Sequence, residues 1–597
     1  MAKENAPPTV PGTLSGLLFH IREVSGGRAD LLETYRPGAV EALSTTDFLH
    51  QVHALAVALE ERGVVAGERV AIYSENRPEW HVVDFASHLL AVPVVPISPA
   101  TSREHVAFIL RNSGARWVFY SDAEKREVLL DVQRGVSAPP RAVAFDAAAA
   151  MPGDGETLTR LLGDGAGRLG GVPLERFRDR ARADDLATLL YTSGTTGDPK
   201  GVMLSHANLM SNIEACARVF EVGGGDRALS FLPLARVFQR TVDYLCFWRG
   251  AGLCYVPDAS TAGAALRARR PTVMAAAPTL YQKAHRHLLA DIEALPTLRR
   301  RVFDWAMGVG RRYAEAGREG FIGPLLALQC AVARRVVHRR VFERFGGRLR
   351  LAISGGSPLP EEVAIFFDAV GMPLYEGYGL TETSPVLATN TPEDHRLGSV
   401  GKPLSDVELR IAEDGEILVR GPGVMKGYWQ NEGATAETVS ESGWFRTGDL
   451  GRMDKSGYVF ITDRKKDLLV LAGGESVAPR PIEGLLVQGG WVEQAVVVGD
   501  GRAHPAALLV PGGRLLALAD DGDAVAVAAV DHPAVRRQVH VLIDAVNARV
   551  TAAARIKGWR LLDRPLTVEA GELTPTLKLR RRVIAQRYAR EIAELYG

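Results

Sequence analysis

Residues 191–201 read YTSGTTGDPKG and directly follow an apolar run at 186–190. Three glycines leave this backbone free to turn, and four hydroxyl side chains add donors beside the exposed amide N–H groups. These residues are Gly194, Gly197, Gly201, Thr192, Ser193, Thr195 and Thr196. Such a loop suits a polyphosphate, with Lys200 as a mobile positive charge, and the alternative is an ordinary glycine-rich turn. The spacing G-x-x-G-x-x-K-G excludes the G-x-x-x-x-G-K-[ST] loop of Walker-type NTPases.

Two later motifs supply groups that a nucleotide needs. The segment LAISGGSPLP reads as a strand that ends in Gly355 and Gly356, whose backbone a flat ring can approach closely; the alternative is a strand-to-helix turn. The segment LYEGYGLTETSP offers an aromatic face at Tyr378 and a carboxylate at Glu382. A lone surface glutamate is usually only solvated. Beside a phosphate-binding loop it is a candidate Mg²⁺ ligand, because Mg²⁺ takes one or two carboxylates together with phosphate oxygens and water.

Three further motifs contain charged residues in loops. WFRTGDLG contains Asp449, whose ionised carboxylate only accepts hydrogen bonds and can hold both hydroxyls of a ribose; the alternative is an Asx-turn. TDRKKDLLVLAGGESVAP contains Arg464 and Lys466, and GELTPTLKLRRR contains Lys578. Charged residues in such loops are ordinarily solvated, so composition alone gives these three no role.

The motif blocks, in this order, resemble the adenylate-forming (AMP-dependent) synthetase superfamily over nearly the whole chain. The long insertion at 295–345, with the following GGRLRLAISGGSPLP, resembles its long-chain fatty acid–CoA ligase (acyl-CoA synthetase) branch. The resemblance implies ATP, Mg²⁺ and coenzyme A as co-substrates and cofactors. It also implies that Lys578, Glu382, Thr192 and Lys200 are catalytic, and that Glu382 and Thr192 are the metal-site residues.

The same resemblance implies the binding residues. Those for ATP and AMP are Thr192, Ser193, Gly194, Thr195, Thr196, Gly197, Lys200, Gly355, Gly356, Ser357, Glu376, Gly377, Tyr378, Gly379, Thr381, Asp449 and Arg464. Lys466 is the implied hinge, and Gly473, Gly474 and Glu475 are the implied coenzyme A contacts.

The implied reaction activates a long-chain fatty acid with ATP to acyl-AMP, releases pyrophosphate, and then transfers the acyl group to coenzyme A. A mixed anhydride with AMP gives a poorly electrophilic carboxylate a good leaving group. Three alternatives stay open. The first is a fatty acyl-AMP ligase that loads a carrier protein, although no G-x-D-S-type attachment loop is seen in the sequence. The others are a ligase for another carboxylic acid and a non-enzymatic nucleotide-binding scaffold, which the complete motif set disfavours.

One position departs from the family pattern. Many relatives read LPLAH where this chain reads LPLARVFQR, with Arg236 in the place of histidine. Arginine is permanently cationic and cannot act as a base near neutral pH. Three consequences of Arg236 stay open. It could hold the carboxylate of the fatty acid, change which acid is accepted, or weaken the second step of the reaction. The acyl-pocket candidates are Arg236, Val237, Phe238 and Trp248.

Short β-rich runs alternate with helical patterns from residue 69 onward, which predicts parallel sheets covered by helices. We therefore expect an α/β protein of the acyl-CoA synthetase type. Residues 1–462 are predicted to form a large domain of doubly wound sheets with a small β-barrel-like region, 463–467 a hinge, and 468–597 a small mobile α+β domain with the catalytic lysine. Residues 139–182 carry little periodicity and read as a surface excursion.

Composition excludes several classes of protein. Lys plus Arg number 71 against 70 Asp plus Glu in 597 residues, so no global field favours nucleic acid as a partner. The four cysteines lack C-x-x-C spacing, which argues against structural zinc and a disulfide framework. The N-terminus has no apolar signal region, and no run approaches the ~18 apolar residues of a spanning helix. We expect a cytoplasmic monomer or homodimer.

Residues 295–345 break the alternation with two long helical patterns. In the second, an apolar stripe is predicted at Val332, Val336, Val337, Val341, Phe342 and Phe345, with arginines largely off it. A packed helix with a solvated basic face is the first interpretation. Peripheral contact with anionic lipid at the inner membrane surface is the alternative.

Overall fold

The computed structural model describes residues 12–134, 139–151, 155–192, 198–318, 322–335, 339–519, 532–574 and 578–596. The chain divides into two compact units. The first comprises Met1–Leu409, Val419–Phe445 and Gly457–Val459; the second comprises Arg410–Leu418, Arg446–Ser456 and Phe460–Gly597. The predicted boundary at 462 and the predicted hinge at 463–467 stay predictions.

The first unit contains two large sheets, as the alternation of strands and helices predicts. The nine-stranded sheet has the order Lys402–Pro403, Val386–Thr389, Leu374–Gly379, Leu351–Gly355, Val273–Ala276, Arg227–Ser230, Gly252–Tyr255, Leu32–Arg36, Ala39–Leu43. The eight-stranded sheet has the order Gly427–Tyr428, Lys200–Ser205, Leu186–Thr192, Val94–Ile97, Val70–Tyr73, Trp117–Tyr120, Arg141–Ala144, Glu156–Thr157.

The central strands of both sheets pair in parallel. Three of those in the eight-stranded sheet, Val70–Tyr73, Val94–Ile97 and Trp117–Tyr120, are buried at every residue. Continuous apolar strands of this kind are typical of parallel sheets that are covered on both faces. Among the described residues of these sheets, antiparallel strand pairs occur only toward the edges. One of them joins Leu186–Thr192 to Lys200–Ser205.

Helices alternate with these strands along the chain. In the first unit they are Leu14–Ser25, Thr45–Glu61, Pro78–Leu89, Arg103–Ser113, Ala123–Arg134, Leu158–Ala166, His206–Val219, Val237–Arg249, Ala262–Arg269, Pro278–Glu293, Thr297–Arg318, Pro324–Ala333, Arg339–Arg344, Glu361–Ala369 and Glu432–Thr438. Their starts follow local rules. Pro78 opens its helix, and the Ser102 hydroxyl accepts from the His105 N–H at 3.4 Å. Among the described residues, no helix has the length and apolar content that crossing a bilayer requires.

The prediction of a surface excursion at residues 139–182 is wrong. Arg141–Ala144 and Glu156–Thr157 extend the eight-stranded sheet, and Leu158–Ala166 packs against Thr45–Glu61. A Cβ atom at Gly165 would lie 1.9 Å from the Ala54 carbonyl oxygen. The glycine that weakens the helical pattern in the sequence is therefore what permits this close packing of two helices.

The second unit has α+β character, which is the class predicted for residues 468–597. It contains most of a four-stranded sheet in the order Glu408–Ile411, Glu416–Arg420, Phe445–Met453, Val459–Arg464. It also contains the hairpin Leu469–Val470 with Ser476–Val477, and a three-stranded sheet of Val492–Val498, Ala506–Pro511 and Gly558–Leu561. Its helices are Pro479–Val487, Gly513–Leu516, Pro533–Asn547, Arg581–Arg587 and Ala589–Glu594.

A buried polar cluster joins elements of the two large sheets within the first unit. Asp84 accepts hydrogen bonds from Arg240 Nη2 and from the Tyr244 hydroxyl, each at 2.5 Å. Arg240 also donates to Thr188 Oγ1 at 2.9 Å. Burial alone would raise the pKa of Asp84, but the Arg240 guanidinium and His88 hold it well below its usual range. The cluster thus connects the helices Pro78–Leu89 and Val237–Arg249 to the strand that leads into residues 191–201.

We predict that Asp84→Leu destabilises the chain by about 3–5 kcal/mol, because it leaves a buried guanidinium without its counter-charge. Urea unfolding followed by circular dichroism measures this change. The double variant Asp84→Leu/Arg240→Leu should recover much of the loss, and Asp131→Asn, in an exposed ion pair with Arg103, should cost less than about 1 kcal/mol. Equal losses in the single and double variants would contradict the prediction.

Candidate active site

Two predicted catalytic residues face each other at the end of a hairpin. Thr192 is the last residue of Leu186–Thr192, and Lys200 is the first of Lys200–Ser205; they are direct antiparallel partners. This pairing holds Thr192 and Lys200 on adjacent strands. The other predicted phosphate-binding residues, Ser193, Gly194, Thr195, Thr196 and Gly197, lie outside the described residues.

Tyr428 links Lys200 to the predicted metal ligand Glu382. Lys200 Nζ lies 4.9 Å from the centroid of the Tyr428 ring, within cation–π range. The Tyr428 hydroxyl donates to Glu382 Oε1 at 3.0 Å. Burial and then the Glu382 carboxylate raise the pKa of Tyr428, so its hydroxyl stays protonated and remains a donor. The structure therefore brings the cation and the carboxylate to one place through a residue that the sequence analysis missed.

No local pattern in the sequence indicates a role for Tyr428. It lies in the two-residue strand Gly427–Tyr428, which pairs with Lys200–Ser205, and Tyr428 is the direct partner of Val202. Met425 N–H in the preceding loop donates to the Glu382 carbonyl at 2.9 Å. Because both contacts join segments far apart in the chain, local motif spacing does not reveal them.

The predicted base-binding residues follow two neighbouring parallel strands. Leu351–Gly355 and Leu374–Gly379 pair in parallel, with Gly355 opposite Gly377. A Cβ atom at Gly379 would lie 1.8 Å from the Pro385 carbonyl oxygen, so this position requires glycine. The remaining candidates lie on or just after the same strands: Gly356, Ser357, Glu376, Tyr378 and Thr381.

Glu376 has an unusual ionisation behaviour for a carboxylate. Burial raises its pKa to about 8, with a smaller contribution from Glu361 and against a hydrogen bond from the Leu359 N–H. The side chain is therefore largely protonated at neutral pH and adds no negative charge beside the predicted base and phosphate sites.

The four acyl-pocket candidates separate along one helix. Arg236 precedes Val237–Arg249, and a Cβ atom at Gly355 would lie 3.0 Å from the Phe238 ring. Trp248 packs against His20, with ring centroids 5.9 Å apart, about 18 Å along the helix from Arg236. Val237 is buried. The structure thus brings Phe238 to the end of the Leu351–Gly355 strand and leaves Trp248 at the opposite end of its helix.

Arg236 is a partly buried cation. Burial lowers its pKa, and its guanidinium has no hydrogen-bond or ion-pair partner in the part of the chain that the structure describes. A guanidinium with five N–H donors and little water around it favours an anionic ligand. This property distinguishes Arg236 from Arg240 one helical turn away, which is fully paired.

In the second unit, the structure brings together the two predicted ribose contacts. Arg464 Nε lies 2.8 Å from Asp449 Oδ1, and Asp449 is buried. Arg464 ends the strand Val459–Arg464 and is followed by the turn Lys465–Asp467, which contains Lys466. Burial lowers the pKa of Lys466, with a smaller like-charge contribution from Arg464.

Lys578 lies in the second unit beside Leu579, which forms an isolated antiparallel bridge with Leu573, close to a buried carboxylate. The side chain of Lys578 is exposed, and Thr574 N–H donates to its carbonyl at 2.8 Å. The adjacent Glu572 accepts from Arg564 at 2.6 and 2.9 Å, and that contact chiefly lowers its pKa to about 2. Glu572 was not predicted as a functional residue. Its signal in the sequence is only an acidic residue within an arginine-rich segment.

The predicted coenzyme A contacts are exposed on a tight hairpin. Gly473, Gly474 and Glu475 connect Leu469–Val470 to Ser476–Val477, and the Gly474 N–H donates to the Leu471 carbonyl at 2.8 Å. No group of three or more His, Cys, Asp or Glu side chains arranged to hold a metal ion occurs among the described residues.

Comparison with known proteins gives consistent matches. The family described as AMP-binding enzyme matches residues 27–429, and the family described as AMP-binding enzyme C-terminal domain matches residues 466–597. The long-chain-fatty-acid–CoA ligase FadD15 of Mycobacterium tuberculosis is 36% identical over 92% of this chain and 91% of its own length. The peroxisomal long chain acyl-CoA synthetase 6 of Arabidopsis thaliana is 30% identical over 91% of this chain and 80% of its own.

A solved structure supports the fold. The anthranilate CoA ligase AuaEII, solved in complex with anthranoyl-AMP, superposes with a TM-score of 0.73 over all of both chains at 20% identity. At this identity the likeness establishes the arrangement of strands and helices, not the substrate.

We predict a pH-dependent stability difference between the wild type and Glu376→Gln. A carboxyl with a raised folded-state pKa contributes stability that is complete below its unfolded pKa of about 4.5 and is lost as the pH rises through about 8. The wild type should therefore lose stability relative to Glu376→Gln between pH 5 and 8, and the difference should level off above pH 8. Urea unfolding from pH 5 to 9 measures it, with exposed Glu441→Gln as the control. Parallel pH profiles for the wild type and Glu376→Gln would contradict the prediction.

Proposed function

The chain belongs to the AMP-binding enzyme family, and from this premise we propose that it converts long-chain fatty acids to acyl-CoA in two steps. ATP and the acid first give acyl-AMP and pyrophosphate. The thiol of coenzyme A then displaces AMP. The observation that carries this function is the match to a long-chain-fatty-acid–CoA ligase at 36% identity over 92% of the chain.

In the first step, a carboxylate oxygen of the acid attacks the α-phosphorus of ATP, and the bond to pyrophosphate breaks. Negative charge then increases on the leaving phosphates. Thr192 and Lys200, which are direct partners at the hairpin end, would donate to these oxygens. Electrostatic stabilisation of this kind is usually the largest single contribution to phosphoryl chemistry. The predicted loop glycines and hydroxyls would add backbone and side-chain donors.

Glu382 and Thr192 would hold Mg²⁺, which would screen the phosphate charges when bound. The donor chemistry fits, because a carboxylate and a hydroxyl are the oxygen ligands that Mg²⁺ prefers. Tyr428 takes one acceptor position on Glu382 Oε1, and a carboxylate has about four. The tyrosine therefore orients the carboxylate while leaving it capacity for an ion.

Each unit carries candidate nucleoside contacts, those for the adenine in the first unit and those for the ribose in the second. The backbone at Gly355 and Gly377, with the Tyr378 ring, would bind the adenine. Asp449 would accept from the ribose hydroxyls, oriented by its 2.8 Å contact with Arg464. An acidic residue that accepts from ribose hydroxyls is the same device that dinucleotide-binding folds use.

We assign Lys578 to the first step, where it contacts the carboxylate and the α-phosphate. In the second step the thiol attacks the carbonyl carbon and AMP leaves, so Lys578 must withdraw. We infer a rotation of the predicted small domain, 468–597, about Lys466 in the 463–467 segment. This rotation would replace Lys578 at the reacting groups with the loop at Gly473, Gly474 and Glu475. That loop would then flank the pantetheine of coenzyme A.

Arg236 is proposed to hold the carboxylate of the fatty acid. The motivation is a partly buried guanidinium without a partner among the described side chains, on the residue that precedes the Phe238 helix. The oligomeric state, monomer or homodimer, the cytoplasmic location and the absence of a nucleic-acid partner stay predictions. An assay with free coenzyme A distinguishes this acceptor from a carrier protein.

We predict that Lys578→Ala lowers acyl-adenylate formation by at least about a hundredfold, because it removes a cation that contacts the transition state. Pyrophosphate release from ATP and palmitate measures this step, with the exposed Lys557→Ala as a matched control. Conversion of supplied palmitoyl-AMP and coenzyme A to palmitoyl-CoA should be nearly unchanged. Equal loss of both half-reactions would refute the assignment of Lys578 to the first step.

We predict that Glu382→Gln raises the Mg²⁺ concentration needed for half-maximal pyrophosphate release by about tenfold or more, because an amide is a weaker ligand than a carboxylate. Tyr428→Phe should shift the same titration less, since it removes only the orienting hydrogen bond to Glu382. Glu393→Gln, an exposed acid of the same unit, is the control. An unchanged Mg²⁺ titration in Glu382→Gln would remove this residue from the metal site.

A further inference from the structure

Two helices of the first unit carry an exposed apolar surface. We call it the apolar surface and define it by six residues on the helices Thr297–Arg318 and Pro324–Ala333. Leu298, Leu325 and Leu328 are 75, 68 and 63% exposed, and the other members are Val302, Trp305 and Val332. Exposed apolar rows on two helices that pack together are unusual on a monomeric protein and mark a site of interaction.

The helix Pro324–Ala333 contains no charged residue. Its inner face is packed, since Cys330 and Ala333 are 3 and 0% exposed. Its outer face bears Leu325, Leu328 and Val332 at i, i+3 and i+7, which puts all three on one side. The sequence prediction that Val332 belongs to a packed stripe with Val341 and Phe345 is thus wrong for Val332. The predicted positions Val336 and Val337 lie outside the described residues.

The longer helix carries a second exposed apolar row. Leu298, Val302 and Trp305 are spaced at i, i+4 and i+7, and Val309 extends the same row into the core, where it is fully buried. The inner face of this helix is separately packed through Phe303 and Ala306. The exposed part of the row is therefore not required for the core. A tryptophan with an apolar body and a polar N–H suits the boundary between hydrocarbon and lipid headgroups.

The charge around the apolar surface has one dominant sign. Residues 297–344 contain eleven arginines, four acidic residues and no lysine. Arg299, Arg300 and Arg301 are exposed at the start of the longer helix, and among the described residues their side chains make no hydrogen bond or ion pair. Arginine donates to phosphate oxygens in a bidentate geometry. A second copy of this chain fits less well, because a twofold interface would place these arginine clusters against one another.

We propose that this face docks on an anionic phospholipid bilayer. The charge-free helix Pro324–Ala333 lies in the interface plane with its outer leucines among the acyl chains, and Arg299, Arg300 and Arg301 contact lipid phosphates. This arrangement is the one that amphipathic helices use to bind membrane surfaces without crossing them. If the proposed function holds, the docked enzyme takes its water-insoluble acid directly from the lipid phase. The docking itself does not depend on that activity.

Co-sedimentation of the full chain with vesicles tests the proposal without any turnover. Wild type should bind vesicles of 30% phosphatidylglycerol in phosphatidylcholine, bind pure phosphatidylcholine much less, and be weakened by 0.5 M NaCl. Arg299→Gln/Arg300→Gln/Arg301→Gln should bind about a hundredfold more weakly, at about fivefold per arginine. Leu325→Asp/Leu328→Asp should lose more than about tenfold. Two control variants alter exposed residues elsewhere and should bind as the wild type does. They are Val65→Asp/Val541→Asp and Arg160→Gln/Arg267→Gln/Arg555→Gln.

A second measurement is independent of the charge-changing variants. Brominated lipids should quench part of the tryptophan fluorescence of the wild type on anionic vesicles, and this part should disappear in Trp305→Phe. The proposal is overturned if wild type does not bind anionic vesicles, if both surface variants bind as wild type, or if Trp305→Phe is quenched equally. A dimer in solution that dissociates in Leu325→Asp/Leu328→Asp, without vesicle binding, would also overturn it and would identify a second copy as the occupant.

Discussion

The ion pair between Asp84 and Arg240 is the constraint on which the first unit depends. A carboxylate and a guanidinium that have both lost water are stable only when every remaining donor and acceptor is satisfied. Arg240 meets this requirement through Tyr244 and Thr188 as well as Asp84. Thr188 lies four residues before Thr192, and Arg236 lies four residues before Arg240. Side chains that touch no substrate thus fix the strand and the helix from which the proposed phosphate and acid contacts extend.

Neighbouring side chains orient several charged residues of the candidate site. Tyr428 donates to one oxygen of Glu382, and Arg464 contacts one oxygen of Asp449. Lys200 lies over the Tyr428 ring, and no acidic side chain among the described residues forms an ion pair with it. Such contacts orient a side chain before a ligand arrives, which lowers the entropic cost of binding. Glu376 is the complementary case, because its raised pKa removes a charge that would repel phosphate.

The helices Thr297–Arg318 and Pro324–Ala333 differ from the other helices of the first unit in how their apolar faces are covered. Elsewhere in the first unit, apolar rows on helices are covered by sheets or other helices, and exposed leucines are few. Here one face of each helix packs and the opposite face stays apolar and uncovered. Arg299, Arg300 and Arg301 lie on the longer helix and have no hydrogen-bond or ion-pair partner within the described part of the chain. Burial of the outer leucines and pairing of the arginines would both be favourable against one surface, an anionic bilayer. The exposed face of these two helices is therefore suited to the lipid phase in which the proposed substrate is found.

The sequence by itself determined the α/β class, the alternation of strands and helices and the family, because periodicity and motif spacing are local properties. It also placed Asp449 and Arg464 in separate motifs that the folded chain brings together. Only the tertiary structure decided which side chains contact one another. Tyr428 is 46 residues from Glu382, and Arg240 is 156 from Asp84, so neither contact leaves a local pattern. Residues 139–182 looked irregular because the glycines that weaken a helical pattern, such as Gly165, matter only when another helix packs against them. Exposure of Val332 likewise depends on what covers a face, which a single sequence does not record.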